Sequence, residues 1–95
     1  METAPPATLA LPDVLDLKAT SHLVADLLAL RGHDLELDAS GVQRLGGQCL
    51  QVLLSATAAW KQDGAVLTVR QPSDAFREGL QLMGAEARLI PELAQ

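Results

Sequence analysis

Along the chain, short runs of alternating polar and apolar residues are separated by longer segments with helical spacing. TLAL, Thr8 to Leu11, alternates weakly and is stopped by Pro12, which predicts a short strand with Val14 and Leu15 packing beneath it. From Asp16 to Arg31, DLKATSHLVADLLALR places Leu17, Val24, Leu27 and Leu28 on one side of a helix and Lys18, Ser21 and Asp26 elsewhere. Gly32 then supplies the left-handed residue that commonly follows a helix end. DLELD, Asp34 to Asp38, alternates with Leu35 and Leu37 on the same face, the pattern of a strand packed on one side.

After the connection ASGVQRLGG, the segment QCLQVLLSATAAWKQDG carries a stripe of Leu50, Leu53, Leu54, Thr57 and Trp60, closed by Gly64, and predicts a second helix. AVLTV, Ala65 to Val69, is apolar but for Thr68 and reads as a central strand buried on both faces. Pro72 stops it, Ser73 is placed to cap a third helix with a stripe of Phe76, Leu80 and Met83, and Gly84 ends that helix. ARLI, Ala87 to Ile90, fits either a short edge strand or the start of a final turn before Pro91. Strands alternating with helices imply an α/β domain with a mixed, mostly parallel sheet and helices packed over it.

Composition narrows the work such a domain can do. Ninety-five residues give room for one core, expected over residues 8–95, with residues 1–7, which hold Pro5 and Pro6, as a flexible tail. A formal charge of -5, the lack of Tyr, and a single Trp and Phe argue against nucleic acid, which needs cations for phosphate and rings for bases. Anionic membrane surfaces are disfavoured on the same ground, and no apolar run approaches the roughly 20 residues that cross a bilayer. One cysteine cannot form an internal disulfide, and METAPPATLALPD lacks the pattern of a secretory leader, so a cytoplasmic location is expected. No feature of the sequence specifies an oligomeric state.

Candidate chemistry is sparse. The loop from Asp38 to Gly47 leads from a strand end into a helix N-terminus, the usual place for ligands in open α/β sheets. It lacks both GxGxxG and GxxxxGK[ST], so a sharp turn is the simpler reading than a nucleotide site, and no cofactor is expected. Asp38 and Ser40 fit a turn closed by their own backbone better than a nucleophile with its acid. His22 and His33 stand eleven positions apart with no metal spacing, and no metal is expected. Cys49, in the first turn of the second helix, reads as core beside Leu50, against the alternative of a thiol activated by the helix N-terminus. Gln43, Arg44, Gln48 and Gln51 offer hydrogen bonds to a protein surface, or simply a solvated face, with no carboxylate pair among them.

The stretch D-A-S-G-V-Q-R-L-G-G-Q-C-L resembles the D-x-S-x-V-x-x-I-D-S-S-G-L run of STAS domains, the family of anti-sigma factor antagonists. Asp38, Ser40, Val42, Leu45 and Leu50 match it, and the likeness extends from about Leu9 to Leu89. Two departures stand out: a first strand before TLALP is missing or shortened, and Asp-Ser-Ser-Gly has become Gly46, Gly47, Gln48 and Cys49. In the family, a partner kinase phosphorylates the serine that opens the second helix, and the unmodified domain binds its partner through that surface. Gly47 occupies the matching position and has no hydroxyl, so Ser40, Ser55 or Thr57 would have to take its place.

The resemblance implies a non-catalytic bacterial signalling adaptor that binds a histidine-kinase-like ATPase, such as an anti-sigma kinase or a chemotaxis kinase. Short stand-alone STAS proteins resembling this one occur in chemotaxis gene clusters. The expected partner surface is Ser40, Gln43, Arg44, Gly46, Gly47, Gln48 and Gln51. A second reading within the resemblance is the cytoplasmic STAS subunit of a lipid-transport ABC system. A third, of another class, is a thiol-dependent enzyme that uses Cys49.

Overall fold

A computed structural model describes residues 6–90. Its frame is a parallel sheet built by β1 (Ala7–Ala10), β3 (Leu35–Asp38) and β5 (Leu67–Arg70) in the order β1-β3-β5. Registration across the three strands sets Ala7, Leu35 and Leu67 in one row and Leu9, Leu37 and Val69 in another. Because side chains alternate between faces, both rows face the helices, and Leu35 and Leu37 are buried at the centre. The other face carries Thr8, Glu36, Asp38, Thr68 and Arg70, with a Glu36–Arg70 ion pair at 2.9 Å.

The expectation for AVLTV is therefore corrected: β5 is the outer strand of the described sheet, half-buried, and β3 is central. Thr68 and Arg70 give its second face a polar character, so only one side packs. At the other edge, β1 begins at Ala7, whose N–H donates to Asp34 O at 2.9 Å, so the strand reaches into the stretch read as a tail. The rest of that expectation, at residues 1–5, lies outside the described residues, as does the segment after Ile90.

The connections from β1 and from β3 to the helices that follow them each contain a two-residue strand that the sequence pattern did not predict. β2 (Val14–Leu15) and β4 (Arg44–Leu45) pair in parallel, Val14 with Arg44 and Leu15 with Leu45. This ladder holds side by side the starts of α1 (Leu17–Ala29) and α2 (Gly47–Gln62). Asp16 caps α1 by accepting from Ala19 N at 3.1 Å. At the far ends, Trp60 Nε1 donates to His33 O at 2.7 Å and Arg31 pairs with Asp63 at 2.8 Å. The two helices thus run parallel on one side of the sheet.

Their buried faces differ from the expected stripes. In α1 the core side chains are Leu23 and Leu27, while Leu17, Val24 and Leu28 are exposed. Apolar residues stand on two faces of this helix, and spacing alone does not say which one meets the sheet. In α2 the buried set is Cys49, Leu50, Leu53, Ala56 and Trp60, with Leu54 and Thr57 only half-buried. The buried face has turned toward Cys49 and Ala56 because α1 packs there.

The third helix, α3 (Asp74–Leu82), is capped as expected: the Ser73 hydroxyl accepts from Phe76 N at 3.1 Å. Phe76 and Leu80 are buried, whereas Met83, beyond the helix end, is exposed. Gly32, Gly64 and Gly84 all have positive φ, as their places after helices require. Of the two readings of ARLI the structure takes the helical one, α4 (Glu86–Leu89), with Leu89 and Ile90 closing the core.

Candidate functional site

The site is built where the strand ends meet the start of α2. Asp38 ends β3, and its carboxylate accepts from Ser40 N at 2.9 Å, closing an Asx turn. The Ser40 hydroxyl and then this N–H hold the Asp38 carboxyl below its ordinary pKa. Val42 is buried under the turn, and its carbonyl accepts from the Ser73 hydroxyl, while Ser73 N donates to Ala39 O at 3.1 Å. The turn is thereby pinned to the start of α3. Gln43 and Arg44, both exposed, then run beside Asp13, whose carbonyl accepts from Gln43 N at 2.6 Å and Arg44 N at 3.2 Å.

At the start of α2 the two glycines differ. Gly46 is the N-cap, extended at φ -92 and ψ 162, and offers no side-chain cap to the first-turn amides. Its N–H donates to Leu15 O at 2.8 Å, and a Cβ at this position would stand 3.0 Å from that same oxygen. Gly47 is exposed, and a Cβ there would meet nothing within 4 Å among the described residues. The first is imposed by packing against β2, and the second is not.

Cys49 is fully buried at the seam between α1 and α2. Its thiol donates to Asp16 O at 3.3 Å and lies 3.6 Å from the Thr20 hydroxyl. The sulfur is thus enclosed and engaged, an arrangement suited to packing and not to attack on a substrate. Among the described residues no group of three His, Cys, Asp or Glu side chains could hold a metal ion. No helix among them is long and apolar enough to cross a membrane.

Beside this start runs a groove of about 390 Å³ between the outer sides of α1 and α2. Val24 and Leu28 line it from α1, Arg31 from the turn beyond that helix, and Gln48, Gln51, Val52, Ser55 and Ala59 from α2, with Leu27, Ala56 and Trp60 as its floor. Of the residues expected to form a partner surface, Gln48 and Gln51 face this groove. Ser40 lies in the turn after β3, Gln43 and Arg44 lie along Asp13 and β2, and Gly46 and Gly47 join the two regions. Sequence reasoning missed the groove's α1 wall. The signal for it was the row Leu17, Val24 and Leu28, spaced seven and four apart, beside the row Leu23 and Leu27 on the same helix.

A pinned turn and the start of α2 thus adjoin an apolar groove. A family model described as "Mlab, STAS domain" matches residues 2–91, and the chain belongs to the STAS domain family. A search of curated proteins returns no significant match. Proteins of the STAS family generally work through protein partners, and anti-sigma antagonism is the family's general role.

Proposed function

We propose that this chain is a non-catalytic signalling adaptor of the bacterial cytoplasm, docking on a histidine-kinase-like ATPase such as a chemotaxis or anti-sigma kinase. The contact surface is the turn from Ser40, the start of α2 at Gly46 and Gly47, and the adjoining groove at Gln48 and Gln51. The observation that carries the reading is the open ground at Gly47, where the fold does not require glycine and a partner backbone can come close to the amides of α2. Neither Gly47 nor Gln48 has a hydroxyl, so the site lacks the group through which a kinase would add charge. Of the substitutes, Ser40 is tied into its turn and the Thr57 hydroxyl donates to Leu53 O at 3.0 Å.

The test is titration of the purified chain against the candidate kinase, with Gly47→Asp and Gln48→Glu as probes. Each places a carboxylate at the start of α2 and is expected to weaken binding about tenfold or more while leaving the circular dichroism unchanged. Unchanged affinity in both variants would sink the proposal. Incubation with ATP and the same kinase is expected to give no mass shift at the start of α2.

The second reading, a STAS subunit of a lipid-transport ABC system, is favoured by the apolar lining of the groove. Standing assemblies bury more apolar surface than switched ones, and a subunit held permanently has no need of a phosphate switch. Co-purification with a transporter ATPase or permease in place of a kinase would decide for it.

A further inference from the structure

The described sheet leaves β1 open along its outer side. Ala7 N donates to Asp34 O and Leu11 N to Asp38 O, each at 2.9 Å, so the odd-numbered residues of this strand face β3. Backbone direction alternates along a strand, and the N–H and C=O groups of Thr8 and Ala10 therefore point away from the sheet, with no strand beside them among the described residues. ATLA carries no charge to blunt this edge, whereas the edge strand β5 ends in Arg70 and is followed by Gln71 at φ 51. Beside β1 lies a pocket of about 370 Å³, with Leu9, Leu11, Ala19 and Leu23 as apolar walls and the exposed His22 and Asp26 as polar ones. These α1 residues stand on the flank opposite Val24 and Leu28, which line the α1–α2 groove.

Symmetry selects the occupant. Pro6 and Pro12 stand three residues to either side of Leu9. With a second β1 antiparallel to the first and Leu9 opposite Leu9, Thr8 exchanges both hydrogen bonds with Ala10 of the second copy, and Ala10 with its Thr8. Pro6 of each chain then falls opposite Pro12 of the other, so the ladder ends where neither residue has an N–H to leave unpaired. The two Leu9 residues form a non-hydrogen-bonded pair, with Cα atoms about 4.5 Å apart, and their side chains meet on the helix-facing side, at the two pockets. The same axis sets the two α1 helices antiparallel. His22 and Asp26 are four positions apart on one flank, so His22 of each chain comes opposite Asp26 of the other. Each match is of the chain with itself, as a two-fold contact requires.

We propose that two copies of this chain pair through β1, joining their sheets into one continuous sheet with both helical layers on the same side. The groove and the start of α2 lie beyond the opposite flank of α1, so the dimer presents two docking surfaces and does not rest on the docking reading.

Sedimentation of the purified chain is expected to show a dimer that dissociates in the micromolar range, and amide exchange at Thr8 and Ala10 should slow as concentration rises through it. Thr8→Pro deletes an N–H that β3 does not use and should weaken the dimer about tenfold or more, with the circular dichroism unchanged. His22→Asp sets a carboxylate against Asp26 of the second copy and should weaken the dimer about threefold, and adding Asp26→Lys should restore it. Leu28→Asp, in the groove, should leave dimerisation as in the wild type. A wild-type monomer at about 100 μM would overturn the proposal. So would a dimer whose Thr8 and Ala10 amides exchange freely, or one that Leu28→Asp dissolves. Weakening by Thr8→Pro with no response to the His22 and Asp26 changes would refute the register centred on Leu9. The charge swap and the exchange rates decide the question even where Thr8→Pro fails to fold.

Discussion

Gly46 and Gly47 are neighbours under opposite constraints, and single substitutions separate them. A Cβ at Gly46 would press on Leu15 O, a backbone atom held in the β2–β4 ladder, so Gly46→Ala is expected to cost about 1–3 kcal/mol. Gly47→Ala meets open space in an ordinary helical conformation and should stabilise by about 0.4–1 kcal/mol by restricting the unfolded chain. Urea midpoints for both variants check this, and a destabilised Gly47→Ala would mean that the fold needs this glycine. Asp38, beside them in the site, ties the turn to pH. Its folded carboxyl titrates below the unfolded value, so its contribution is complete above the ordinary carboxylate pKa of about 3.9 and is lost as pH falls through the folded value. Asp63, lowered by its hydrogen bonds from Arg31, acts with the same sign. Asp38→Asn should therefore flatten, without abolishing, the fall in urea midpoint below about pH 4. A variant whose acid profile overlays the wild type would exclude this turn as a source of the dependence.

At the scale of elements, α3 and the site loop are joined through one serine. The Ser73 hydroxyl accepts from Phe76 N and donates to the carbonyl of buried Val42, so Ser73→Ala removes a helix cap and leaves that carbonyl without its hydroxyl donor. The expected loss is about 1–3 kcal/mol with an unchanged m-value, and faster amide exchange at Val42 and Gln43 should accompany it. A loss confined to α3, with the loop's exchange unaltered, would contradict the coupling. The cap itself was legible in the sequence, because a hydroxyl residue before an amphipathic run has a local cause. The same holds for β3, where Leu35 and Leu37 alternate, and for the glycines that end helices. The β2–β4 ladder was not legible, since two-residue strands are fixed by each other across 28 intervening residues and leave no periodic trace. Nor was the face of α1: Leu17, Val24 and Leu28 look like core until Leu23 and Leu27 are seen to occupy it. In the site, the Asp38–Ser40 turn could be read from its own residues, but the groove depends on how two helices meet.

For the molecule as a whole, Cys49 reports whether the two halves of the helical layer ever part. It sits where α1 and α2 are drawn together by the β2–β4 ladder, its sulfur enclosed between Asp16 O and the Thr20 hydroxyl. The opposite ends of the helices are closed by the Trp60–His33 hydrogen bond and the Arg31–Asp63 pair. The ion pair is half-exposed and contributes little, whereas the indole is buried and losing its partner would leave a polar group unsatisfied. A reagent reaches the thiol only if one of these closures fails locally or if the domain unfolds. If opening is global at about 5 kcal/mol, labelling of the native protein should be slower than that of the unfolded chain by more than about a thousandfold. The labelling free energy should then fall with urea along the same slope as the unfolding free energy, because both expose the same surface. Trp60→Phe, which loses the bond to His33 O, should speed labelling and lower global stability by equal amounts. Rapid labelling in native buffer, with a rate indifferent to urea, would instead reveal an accessible thiol at the start of α2 and revive catalysis there. The slow outcome would remove the Cys49 thiol from the candidate chemistry of this surface.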